Sequence, residues 1–126
     1  MKASKSKFPV MYIREMLAET MQEELGIARD EDSLTNGIES IDFYIEQAGR
    51  IHYDPSVSLY DNYSLKAILL LAKATLICAR ERRESRGAHY RTDYPMCLEE
   101  FQAATIITMQ DGEFRVCLDT GGKYES

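Results

Sequence analysis

The chain is poor in the residues that build metal centres and disulfide frameworks. Among 126 residues there are three cysteines, Cys78, Cys97 and Cys117, and two histidines, His52 and His89. An odd, widely spaced set of thiols fits reduced cysteines in the cytoplasm, and Cys and His together offer no zinc-ligand spacing. The glycines, at 26, 37, 49, 87, 112, 121 and 122, never take the G-x-G-x-x-G spacing that cradles a dinucleotide pyrophosphate. No apolar run reaches the roughly 18 residues of a membrane span, because Lys66 and Lys73 interrupt the best candidate. The opening MKASKSKFPVMYIREM is basic but lacks the apolar segment of a signal peptide. A cytoplasmic protein without direct membrane insertion is expected. Positive charge is also short: 21 acids face 15 bases, a net −6, which argues against a general nucleic-acid binder.

What is present is the composition of a globular domain, 44% hydrophobic and 29% charged, with room for one modest core. Residues 1–9 are Lys- and Ser-rich up to Pro9 and read as a flexible leader. Val10, Ile13, Leu17, Met21 and Leu25 recur at helical steps, so a first helix is expected over about 10–25. Gly26 is expected to cap it in a left-handed conformation, with Ile27 packing back on the last turn. Acids and a hydroxyl in Arg29-Asp30-Glu31-Asp32-Ser33 suit a helix N-terminus. Leu34, Ile38, Ile41, Ile45 and Ala48 then form a seam that runs out at Gly49. Gly37 inside it costs about 1 kcal/mol relative to Ala, which points to close approach of another backbone. His52, Tyr53 and Asp54 share an irregular loop with no nucleophile beside them, so no catalytic role is expected there.

The rest of the chain is organised around the segment from Asn62 to Pro95. Leu65, Ile68, Leu69, Ala72, Leu76 and Ala79 form a stripe flanked by Leu70, Leu71, Ile77 and Cys78, the pattern of a central helix wrapped by partners. It is expected over about 62–86, capped by Asp61 or Asn62, and its charged end Arg80-Glu81-Arg82-Arg83-Glu84-Ser85-Arg86 stops at Gly87. Farther on, β-rich runs flank Gln110-Asp111-Gly112-Glu113, a strong hairpin signal. Phe114, Val116 and Leu118 alternate, so one face should pack while the other stays wet. The fold expected is mainly α: an antiparallel, spectrin-like three-helix bundle followed by a C-terminal β-hairpin that leans on it. The domain is placed at 10–119, with a disordered tail at 120–126.

The run Ala79-Arg80-Glu81-Arg82-Arg83-Glu84-Ser85-Arg86-Gly87-Ala88-His89-Tyr90-Arg91-Thr92-Asp93-Tyr94-Pro95 resembles the R-x-E-S-R-G-A-H-x-R-x-D-Y/F-P segment in the C-terminal helical domain of succinate dehydrogenase and fumarate reductase flavoprotein subunits. L-aspartate oxidases have a looser version. Met16 to Leu34 is similar to the opening helix and turn of that domain. The resemblance implies a parent activity of hydride transfer between FAD and a dicarboxylate. It also implies an FAD-bearing domain or subunit as partner, with an iron–sulfur subunit as a further candidate. The parent's flavin fingerprint, flavin-tethering histidine segment and substrate-holding residues are missing, so no catalytic, cofactor-binding or metal residue is assigned to this chain. A structural and docking module is therefore expected. Its contact face is drawn from Arg83, Arg86, His89, Tyr90, Arg91 and Tyr94, with Gly87 as a structural cap; Arg86 and Arg91 offer planar forks either to Glu84 and Asp93 within the chain or to acids on a docking domain. The alternative is a small stand-alone anion-binding protein or enzyme that uses Arg86, His89 and Arg91.

Overall fold

The structure, a computed structural model, describes residues 9–26, 28–51 and 53–119. Residues 1–8 of the expected leader, Ile27, His52 and the expected tail lie outside the described residues. Three helices, α1 (Val10–Glu24), α2 (Glu31–Gly49) and α3 (Leu59–Glu81), are followed by a single 3-10 turn at Glu99–Phe101. Strands β1 (Thr105–Gln110) and β2 (Glu113–Leu118) complete the order. The bundle and hairpin are those read from the periodicities.

Each helix start is capped from a different source. Asp30 accepts from the backbone N–H of Ser33 at 2.8 Å while the Ser33 hydroxyl accepts from Asp30 N–H, a reciprocal capping box for α2. Pro9 has no side chain to cap α1, and the buried Asp54 substitutes, taking the N–H of Val10 at 3.2 Å from 44 residues away. The same carboxylate accepts from Ser56 N–H and hydroxyl, and these bonds hold it below the usual carboxylate range. Asp54 of that loop, for which no catalytic role was expected, thus serves as a cap. Helix α3 begins three residues before the expected Asn62, because Ser58 accepts from Asp61 N–H, while Asn62 ties Asp54 down on both its backbone groups.

Successive helices run antiparallel. On α3, Leu76 meets Gly37 of α2, Lys73 pairs with Asp42 at 2.7 Å and Arg80 reaches Thr35 at 3.4 Å, so positions rise on one helix as they fall on the other. The core joins Val10, Ile13 and Leu17 to Leu34, Ile38, Ile41 and Ala48 and to Leu65, Leu69, Ala72, Leu76 and Ala79. A Cβ at Gly37 would sit 3.0 Å from Leu76 Cδ1 and 3.1 Å from Glu24 Cβ, so the expected close approach is to side chains rather than to backbone. Gly26 is not left-handed; α1 ends through Leu25, and a Cβ at Gly26 would collide with the Gln22 carbonyl at 2.9 Å. By length and composition α3 is apolar enough to cross a membrane despite Lys66 and Lys73. The core stripe accounts for one side of that apolarity only.

The hairpin pairs Thr105 with Leu118 through to Gln110 with Glu113. Asp111 (φ 53°) and Gly112 (φ 79°) are both left-handed, as a two-residue I′ turn requires. Phe114, Val116 and Leu118 are half-buried and alternate with exposed residues. Phe114 lies under the Lys73 ammonium, 6.0 Å from the ring centroid, which sets the hairpin against α3.

Candidate functional site

The motif residues do not continue α3. The helix stops at Glu81, and Arg82 is extended (φ −86°, ψ 91°), although nothing in the residue types there breaks a helix. The reason is tertiary. Glu84 is fully buried, and it can be so only if the chain leaves the helix and turns inward. Its carboxylate accepts from Arg82 Nη1 at 2.5 Å, from Arg86 Nε and Nη2 at 2.9 and 3.2 Å, and from the backbone N–H of Leu98 at 2.9 Å. Burial alone raises a carboxyl's pKa, but these donors outweigh it and hold Glu84 at about 2. Arg82 reaches onward to the carbonyls of Phe101 and Ala103 and to the Thr105 hydroxyl, tying the helix end to the segment that enters the hairpin.

Gly87 is left-handed (φ 58°), as expected, but as the first central residue of a tight turn rather than as the cap of α3. Arg86 and His89 exchange both backbone hydrogen bonds, at 2.8 and 2.9 Å, across Gly87-Ala88, and this turns the chain back on itself. The return brings Arg91 under the helix. Its guanidinium, wholly buried, donates to the carbonyls of Ala79 and Arg80 at 3.1 and 2.5 Å. These are among the last carbonyls of α3, left without partners inside the helix and carrying its negative dipole end. The cation at that end is therefore Arg91, ten residues beyond the helix, and not Arg83 or Arg86 as the linear order suggests.

Arg91 also makes a two-pronged bond with Asp93, at 3.0 and 2.7 Å, and reaches Glu31 at the start of α2 at 3.2 Å. Asp93 is held below the usual carboxylate range chiefly by Arg91 and accepts from the backbone N–H of Glu31 at 2.9 Å. Backbone bonds run alongside: Arg29 N–H donates to the Tyr90 carbonyl at 2.9 Å, and Thr92 N–H to the Arg29 carbonyl at 2.7 Å. The motif thus staples the end of α3 to the α1–α2 connection. His89 closes the staple. Arg29 Nη1 lies 2.8 Å from its Nδ1, and a guanidinium can only donate, so Nδ1 accepts and Nε2–H is left to donate to the Arg82 carbonyl at 3.0 Å. That fixes a neutral tautomer, and burial, with the nearby arginines, keeps the ring's pKa below the ordinary histidine value.

The expected contact residues therefore divide. Arg91 is buried and cannot face a partner; its expected place in a docking face is corrected to an internal clamp. Arg86 and His89 are half-buried with their polar groups turned inward. Arg83, Tyr90 and Tyr94 are exposed, with Tyr94 presenting its ring 4.9 Å from the Arg91 guanidinium carbon. Arg86, His89 and Arg91 do not converge on one cleft. Three clefts of about 180, 460 and 230 Å³ lie elsewhere, the last lined by Glu81, Arg83, Phe101 and hairpin residues. Among the described residues no group of His, Cys, Asp and Glu is arranged to hold a metal. Arg29, Glu31 and Arg82 are network members that sequence reasoning passed over, because most of their partners lie 19 to 63 residues away.

The fold is a three-helix bundle with a C-terminal hairpin, and the charges of its motif are paired within the chain. Residues 14–120 match the family described as fumarate reductase flavoprotein C-term, and the chain belongs to that family. It is 33% identical over 103 residues to an uncharacterized FAD-dependent oxidoreductase of Methanocaldococcus jannaschii, covering 82% of this chain and 19% of the relative. It is 37% identical over 86 residues to an L-aspartate oxidase of Pyrococcus furiosus, covering 68% and 15%. A variant FrdA chain of E. coli quinol fumarate reductase superposes with TM-score 0.78 over 91% of this chain and 21% of that one. At 23% identity that likeness is one of fold. The chain thus spans about a fifth or less of the length of the relatives it matches.

Proposed function

We propose that the chain is the helical docking domain of a fumarate reductase or succinate dehydrogenase-type flavoprotein, seated on an FAD-bearing domain or subunit and not catalytic alone. The observation that supports this reading is the internal saturation of the motif. Glu84, Arg91 and His89, the groups a catalyst or anion site would need free, end on the chain's own carbonyls, amides and counter-ions. The stand-alone anion site built on Arg86, His89 and Arg91 finds no support in this geometry. A cytoplasmic location belongs to the same proposal and rests on three unpaired cysteines.

The test is a graft of this chain into the Methanocaldococcus jannaschii oxidoreductase in place of the segment it aligns with. If the domain docks, the graft keeps its flavin and unfolds in one cooperative transition, whereas a deletion of that segment loses flavin or melts earlier. Two independent transitions in the graft, with flavin retention no better than in the deletion, would contradict the reading.

A further inference from the structure

Helix α3 carries a second apolar face that the bundle does not use. Tyr60, Tyr63, Ala67, Leu70 and Leu71 recur at helical steps on the side opposite the buried Leu65, Leu69, Ala72 and Leu76. Tyr60 is 75% exposed, Tyr63 74% and Leu71 68%. Single exposed apolar residues are ordinary, but a continuous stripe back to back with a core stripe makes a helix apolar on both sides, the pattern of an element buried all round. The C-terminal half of this outer face is already covered. There Ala74 is buried and Lys73 lies over Phe114 of β2. The N-terminal half, from Tyr60 to Leu71, has no such cover among the described residues.

We infer that the outer face of α3 from Tyr60 to Leu71 is the surface on which the FAD-bearing part of the flavoprotein sits, continuing the layer that the hairpin begins. This rests on the docking reading above and names its surface. The relatives are about five times as long as the matching segment, so each carries a large body of protein beyond it. The motif end, with its charges paired internally, offers that body little to bind, whereas two tyrosines and two leucines without cover fit the composition of interface cores. A net charge of −6 argues against an anionic lipid surface as the occupant.

Hydroxyl-radical footprinting of the free chain and of the grafted oxidoreductase separates the cases without any disruptive substitution. The expected result is at least fivefold lower labelling of Tyr60, Tyr63 and Leu71 in the graft than in the free chain, with Tyr90 and Tyr94 changed less than twofold. Tyr63→Glu with Leu71→Glu should leave the free chain's melting midpoint within about 2 °C and split the graft's single transition in two. Protection of Tyr90 and Tyr94 with the α3 face labelled as in the free chain would overturn this surface while leaving the docking reading intact. Protection at neither place, with independent melting, would remove both. Concentration-dependent protection in the free chain would assign the face to a second copy. Protection by phosphatidylcholine–phosphatidylglycerol vesicles, matching that in the graft, would assign it to lipid. Either result would overturn the inference.

Discussion

The chemistry of this domain is concentrated in a few ionised side chains that have left water. Arg91 has no exposure, and removing it strands Asp93 and at least two helix-end carbonyls. Asp93, itself partly exposed, is returned to water, whereas leaving buried acceptors without their donor costs about 1–3 kcal/mol. Arg91→Ala is therefore expected to lower the free energy of unfolding by about that much in urea titration, and Arg91→Lys to recover only part, since an ammonium cannot form the two-pronged bond. Acid stability follows from Glu84. Its folded pKa of about 2 lies below the ordinary value, so the unfolded chain takes up the proton first as pH falls. Its contribution is complete above the ordinary carboxylate value and is lost as pH drops through about 2.

His89 has the same sign in a higher window. Its pKa is lowered by burial, so its contribution is present above about 6.5 and is lost as pH falls from there through the lowered folded value. Protonation would turn its Nδ1 from an acceptor into a donor facing Arg29. Melting midpoints measured from pH about 7 down to about 5 should decline, and His89→Gln, which can offer one donor and one acceptor, should flatten that decline. A profile equally steep in both proteins would exclude His89 as its source.

At the scale of elements, the helical seams and the Asp-Gly hairpin were legible because each is written in local periodicity or in a single turn dipeptide. The positions of Leu34, Ile38, Ile41 and Ala48 in the core needed nothing more. Both ends of α3 were misplaced. Its start depends on which hydroxyl, that of Ser58, finds a free N–H, and its stop depends on Glu84 finding Arg82, Arg86 and the Leu98 amide. Arg82 and Arg86 flank Glu84, but the Leu98 amide lies 14 residues on, and the good helix formers from Ala79 to Glu84 conceal the inward turn that gathers them. Gly87 was read as an obligate glycine for a sound reason, its positive φ, but in a different element. A Cβ there would meet nothing within 4 Å, so the cost of substitution is conformational alone. Gly87→Val should destabilise the chain by about 1 kcal/mol or more. An unchanged denaturation midpoint would count against a left-handed Gly87.

For the molecule as a whole, the motif that looked like a surface turns out to be a staple, and the helix that looked wholly internal has a bare side. The first was legible in part, since Arg86 pairs with Glu84 and Arg91 with Asp93 as their spacing allows, but the turn that buries Glu84 and Arg91 is not written locally. The second was hidden because an apolar residue on α3 carries no mark of which side it faces. Together they describe a domain with its own core, motif charges paired within the chain and one apolar helix face left uncovered among the described residues. The most direct measurement is flavin occupancy and turnover of the purified chain, after incubation with FAD and gel filtration, with fumarate or succinate and an electron dye. No stoichiometric flavin and no turnover in either direction are expected. One FAD retained per chain, or reduction of fumarate or oxidation of succinate above the blank, would contradict that expectation.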